Sequence, residues 1–202
     1  MRLRWIGLLG LIGMIGALLA AQTARAVIER LYPLKDVAGD SQFIFLAKVD
    51  SIDPDKPAAV LVFEENFKGK VAFRRMAINL KGDADAEKGK QTPQLVKRLA
   101  PKLPMVVFAV EQDKGYLALC YTNGTWFQIR GDKDGDAVRW RFNHFEPYLR
   151  RTFKGTTDEM KQVVADGLAG KKSMPAANAK EKPGIGPEVK ADKETRRQGD
   201  KE

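Results

Sequence analysis

The chain has 202 residues, with 35 Lys and Arg against 26 Asp and Glu and a single His, for a net charge of +9. Its 44% hydrophobic content supports one ordinary core with extensions, which excludes a large multidomain enzyme. One Cys and one His exclude a Cys/His zinc cluster, a disulfide framework or a dithiol redox pair made within a single chain.

Arg2 and Arg4 precede an apolar stretch from Trp5 to Ala21, and Ala24-Arg25-Ala26 follows. A basic start, an apolar run and small residues at the expected cleavage positions are the pattern of a secretory signal peptide over residues 1–26. Cleavage is expected between Ala26 and Val27. The alternative is an uncleaved anchor, against which stand four glycines in a stretch shorter than the ~20 residues a spanning helix needs. Removing residues 1–26 takes away Arg2, Arg4 and Arg25 and leaves 176 residues of net charge +6. An exported product, periplasmic or secreted, is the expectation. Its positive charge suits anionic envelope polymers or lipid headgroups, and export argues against nucleic acid. In an oxidising space Cys120, set in Leu117-Ala118-Leu119-Cys120-Tyr121, reads as a buried small hydrophobe.

From Asp40 to Phe142 short apolar, β-branched runs alternate with turn residues, which predicts a mainly β domain, a barrel or sandwich, over residues 27–143. Seven strands are expected: 42–51, 58–67, 71–80, 105–112, 116–121, 125–130 and 137–142. In the last, Val138, Trp140 and Phe142 alternate with Arg139 and Arg141, giving one buried and one cationic face. Along 71–80 the parity breaks, and a bulge near Arg74 and Arg75 would reconcile it by bending the strand. Residues 91–100 read as a short helix stopped by Pro101.

A helical appendage is expected over 144–170, where Thr156 and Glu159 are spaced as a capping box ahead of Met160, Val163, Val164 and Leu168. Gly170 followed by Lys171-Lys172 is a C-terminal stop. That helix is expected to pack on its own barrel. Residues 171–202 are rich in Lys, Glu, Ala, Pro and Gly, and read as a disordered charged tail. Pro183-Gly184-Ile185-Gly186-Pro187 is either a short recognition stretch or a spacer.

The order of a short helix at Leu34–Ala38, a strand at Phe43–Val49, then Val60–Phe67 ending in Lys68-Gly69, resembles netrin-like domains. Met76–Leu80 resembles their edge strand, and Pro104–Val110 followed by Gly115–Cys120 a later pair. The resemblance covers about residues 34–121 and implies an OB-type barrel with a bias toward binding proteins or polymers. The tissue inhibitors of metalloproteinases in that family chelate the protease zinc through an N-terminal Cys and hold the barrel with disulfides. This chain departs on both points, since its expected mature start is Val27 and it has one Cys.

Candidate chemistry is sparse. Cys120 and His144 form the one thiol–imidazole combination, which catalysis would require to meet with an orienting third group. Asp132, Asp134 and Asp136 have the first spacings of a calcium loop, but Gly135 stands where position 6 would require it two residues later, and Asn143 replaces the closing Glu; a hairpin turn is the competing reading. Arg130-Gly131-Asp132 resembles an adhesion tripeptide. Asn123-Gly124-Thr125 is both a glycosylation sequon and the favoured dipeptide of a hairpin turn.

Arg74, Arg75, Arg139, Arg141, Arg150, Arg151 and Lys154, with Trp126, Tyr148 and Phe153, are the candidates for a basic, aromatic binding face; a solvated surface is the alternative. The expected function is an exported, non-enzymatic binding or assembly module of the cell envelope. Its partner would be a protein or an anionic polymer, with peripheral contact to membrane as a further outlet for the charge. No catalytic set, metal or cofactor is expected. The alternatives are a carbohydrate-active or other hydrolase using carboxylates such as Glu64, Glu65, Glu111 or Glu146, and a structural envelope protein held by charge.

Overall fold

In the computed structural model, which describes residues 31–189, all seven expected strands form and close on one another. They are β1 (Phe43–Asp53), β2 (Ala58–Lys68), β3 (Arg75–Asn79), β4 (Pro104–Gln112), β5 (Gly115–Thr122), β6 (Thr125–Asp134) and β7 (Ala137–Phe145). Around the barrel the order is β1-β2-β3-β7-β6-β5-β4, with β4 returning to β1. Every neighbouring pair is antiparallel except β3–β7, which is parallel and consists of Ile78 opposite Trp140 and Asn79 opposite Arg141. The chain is therefore mainly β, a closed barrel with more strands than the five of an OB fold.

Side-chain periodicity explains two buried layers. On β7 the inward residues Trp140 and Phe142 are buried while Arg139 and Arg141 are exposed, as alternation requires of a strand with one wet face. On β1 and β4 the runs Ile44–Ala47 and Met105–Ala109 are buried throughout, so both faces are covered. Phe45, Ala47, Met105, Val107, Cys120 and Ile129 fill the barrel interior. Ile44, Leu46, Val106, Phe108, Tyr121 and Trp126 form an outer layer. That layer is capped by α1 (Leu34–Asp40) through Leu34 and Val37, and by α4 (Thr157–Leu168) through Met160 and Val164. Burying each such large side chain contributes ~1.5–3 kcal/mol.

The capping box of α4 is present in both directions: Thr156 accepts from the Glu159 N–H at 3.2 Å, and Glu159 accepts from the Thr156 N–H at 2.7 Å. Gly170 follows in the left-handed region at φ +68°. Between β3 and β4 lie α2 (Ala84–Lys88) and α3 (Gln91–Val96), and a 3-10 turn at Pro147–Arg151 joins β7 to α4.

Four expectations need revision. Residues 71–74 are not strand, and no bulge forms at Arg74–Arg75. Phe73 instead turns onto an aromatic group, with ring centres 5.2 Å from Trp140, 5.5 Å from Tyr116 and 5.9 Å from Phe45. Curvature comes from register shifts within the β1–β2 ladder and one between Phe127 and Ile129. The helix at 91 stops at Val96, because the next turn tightens to the Arg98 N–H to Leu95 and Leu99 N–H to Val96 bonds. The hairpin between β6 and β7 is two residues, Gly135-Asp136, since the strand continues through Asp134. Finally, residues 171–189 hold no helix or strand, as their composition predicts, but they lie against the barrel instead of leaving it. The expected signal segment, its cleavage point at Ala26 and Val27, and residues 190–202 lie outside the described residues.

Candidate functional site

Of the predicted basic and aromatic residues, Arg150, Arg151, Phe153 and Lys154 line one hollow of about 500 Å³, while the others are engaged elsewhere. Trp126 is fully buried in the outer layer, packed at a tilt against Phe108 and Tyr121, with its Nε1–H donated to the Phe153 carbonyl at 2.9 Å. Arg74 lies over the Phe63 ring at 4.8 Å, and Arg75 pairs with Asp50 at 3.0 Å. Arg139 pairs with Asp134 and Arg141 with Asp132 on the outer face of β7. Arg151 lies 5.7 Å from the exposed Tyr148 ring. Arg150 and Lys154 both bind Glu181, whose carboxyl they hold below the ordinary glutamate range.

The other motifs also resolve into structure. Cys120 is buried in the barrel interior, where burial raises its thiol pKa, while His144 is half-buried and engaged on both ring nitrogens by Asp83 and Glu146 at 3.1 Å each. The two do not form a nucleophile–base pair. Asp132 and Asp134 serve arginines, and the Arg130-Gly131-Asp132 tripeptide lies inside β6 with Arg130 bonded to Asp132. Gly131 is buried opposite Trp140, where a Cβ would come within 2.9 Å of that indole. Asn123 and Gly124 make the hairpin turn with φ +42° and +78°, and the Asn123 side chain accepts from the Thr157 N–H at the start of α4. Glu64 pairs with Lys48, Glu65 with Lys161 and Glu111 with Lys133, each in its own exposed ion pair.

What the fold does assemble is a groove of about 820 Å³ beside the β3–β7 seam. Alternation on β3 turns Met76 and Ile78 inward and leaves Ala77 and Asn79 outward, so small side chains face this groove. Ala58 and Val60 of β2, Ala77, Val138, Pro57 and Pro93 give it an apolar lining. Lys56, Lys81, Lys90 and Arg139 stand around it, against one carboxylate, Glu87. Among the described residues, Lys56, Lys81 and Lys90 make no ion pair.

Each of the three lysines is placed by local structure. Lys56 is in the β1–β2 turn, where Asp53 accepts its backbone N–H at 2.9 Å. Lys81 lies two residues beyond β3, its backbone N–H held by Asn79 Oδ1 at 2.9 Å. Lys90 precedes α3 in the left-handed region at φ +51°. A smaller hollow of about 350 Å³ shares Asn79, Lys81 and Gly82 with the groove and adds Asp83, Arg130 and Arg141. Cations without partners around an apolar trough can hold an anionic group while its apolar portion displaces water.

Among these cations the sequence pattern singles out Arg139 alone. Residues 56 and 81 are brought together by the pairing of β2 with β3, where Ala58 stands opposite Asn79, and Lys90 lies in the connection between α2 and α3, so their spacing in sequence gives no signal. Compared with known protein families, curated proteins and solved structures, the chain matches none.

Proposed function

We propose that the chain is an exported, non-enzymatic binding or assembly module of the cell envelope, built on an OB-type, netrin-like barrel. Its partner is an envelope protein or anionic polymer that contacts the seam groove. The observation that carries this reading is the apolar trough with Lys56, Lys81 and Lys90 around it, none ion-paired among the described residues. The basic end of the sequence, with its signal-peptide pattern, supplies the compartment in which anionic polymers are abundant.

The experiment is capture from an envelope fraction by the exported chain, with release by a salt step. Lys81→Glu plus Lys90→Glu is compared with Lys35→Glu plus Lys114→Glu, an equal change of charge away from the groove. Loss of at least tenfold in retained partner for the groove variant alone supports the proposal. Equal loss in both would reduce the binding to net charge and overturn it. The mass of the exported product reads the leader directly, with Val27 expected at its N-terminus.

A further inference from the structure

Beyond Gly170 the chain has the composition of an unstructured linker, yet its path from Met174 to Val189 is fixed by a succession of specific contacts. Met174 packs on the outer apolar layer. The Asn178 N–H donates to the Arg151 carbonyl at 2.7 Å. Glu181 is the polar anchor: its carboxylate accepts from Arg150 Nε at 3.0 Å and Lys154 Nζ at 2.5 Å, and its carbonyl accepts from Arg151 Nε at 2.9 Å.

Four residues later comes the apolar anchor, Ile185, which packs against the barrel interior. The glycines on either side are used by backbone. The Gly184 N–H donates to the Pro147 carbonyl at 3.0 Å, and the Gly186 carbonyl accepts from Arg98 Nε at 2.7 Å. A Cβ on Gly186 would stand 2.3 Å from the Asn123 carbonyl oxygen, so no other residue permits this approach. Glu188 reaches Lys97 at 3.5 Å, and the Val189 N–H donates to the Lys97 carbonyl at 2.9 Å.

Backbone recognition, one half-buried aliphatic anchor packed on the core and one clamped carboxylate are how a folded surface holds an extended peptide. We infer that the surface formed by the Asn123–Gly124 turn, Arg98, Arg150 and Lys154 is a peptide-docking site, that residues 174–189 are its resident ligand in cis, and that it accepts the same segment from a second copy in trans. The recognised pattern is a Glu followed at the fourth position by an aliphatic residue between glycines. Exchange between copies requires the chain to swing about residues 170–173, where the Lys171 and Lys172 N–H groups bond to the Asp166 carbonyl at the end of α4. Because the resident strap is tethered, its high effective concentration masks the site in the intact chain.

The test uses the full chain and a fluorescein-labelled peptide of residues 173–189 read by anisotropy. Gly186→Val expels the strap by steric overlap, and Glu181→Lys does so by charge, which covers the case in which one variant fails to fold. Either variant is expected to bind the wild-type peptide at least 30-fold more tightly than the wild-type chain does. Peptides carrying Glu181→Lys or Ile185→Ala should lose at least tenfold in affinity. If a variant with native circular dichroism binds the wild-type peptide no better than the wild-type chain does, or if the altered peptides bind equally well, the docking site is refuted.

Discussion

Ile78 faces Trp140 across a parallel ladder of only two residue pairs, and that ladder is where the barrel closes. Antiparallel neighbours elsewhere pair over longer stretches, so the seam relies on side-chain packing more than on backbone bonds. Trp140 supplies it, stacking on Tyr116 at 5.7 Å and meeting the Phe73 edge at 5.2 Å. Trp140→Ala should cost about 3–5 kcal/mol in urea unfolding, and Trp140→Phe much less. A loss below about 1 kcal/mol for the alanine variant would show that closure does not depend on this indole.

Lys90 offers a separation of function from stability. Its left-handed backbone costs a non-glycine residue about 1–2 kcal/mol, a penalty glycine escapes at some loss of chain entropy. Lys90→Gly is therefore expected to raise stability by roughly 0.5–1 kcal/mol. It should also weaken retention of envelope partners, since it removes a groove cation. A variant that is more stable and binds equally well would remove Lys90 from the site.

The strands were legible because alternation and turn chemistry agree at each of them; Asn123-Gly124 fixes a hairpin, and Val138-Arg139-Trp140-Arg141-Phe142 shows its faces directly. Two buried faces on β1 and β4 were legible as continuous apolar runs. Phe73 was misread because an aromatic in an apolar stretch scores as strand whether or not it pairs, and only its packing on Trp140 decides. Helix α2 was invisible at five residues, although Asp83 caps it by accepting the Ala86 N–H at 2.9 Å. Trp126 could not be told from a surface aromatic until α4 and Phe153 covered it. The groove lysines lie far apart in sequence, and the strap carries a composition that alone favours disorder.

His144 gives a pH dependence of defined sign. Burial, the largest single influence, lowers its pKa, but the hydrogen bonds and charges of Asp83 and Glu146 together outweigh it and leave the folded-state pKa raised. A raised pKa means that the protonated imidazole stabilises the fold fully below the ordinary histidine value of ~6.5. That contribution fades as pH rises through the folded-state value. The stability difference between wild type and His144→Asn should therefore be largest near pH 5.5 and shrink toward pH 8.5. A difference that grows with pH would mean that His144 is held neutral.

Glu181 titrates in the opposite sense, and its effect falls on the strap. Lys154 and Arg150 lower its pKa, so the ion pairs are intact above the ordinary glutamate range and are lost as pH falls through the depressed folded-state value. Arg98 and Ile185 still hold the far end of the strap when that carboxyl is neutral. Acidification should therefore loosen residues 174–182 first, seen as faster amide hydrogen exchange there than at Gly186 once each is corrected for intrinsic rate. Glu181→Gln should show the same loosening at pH 7, and exchange in that variant should no longer change on acidification through the carboxylate range. Unchanged exchange at Asn178 in Glu181→Gln would mean that the backbone contacts alone fix the strap.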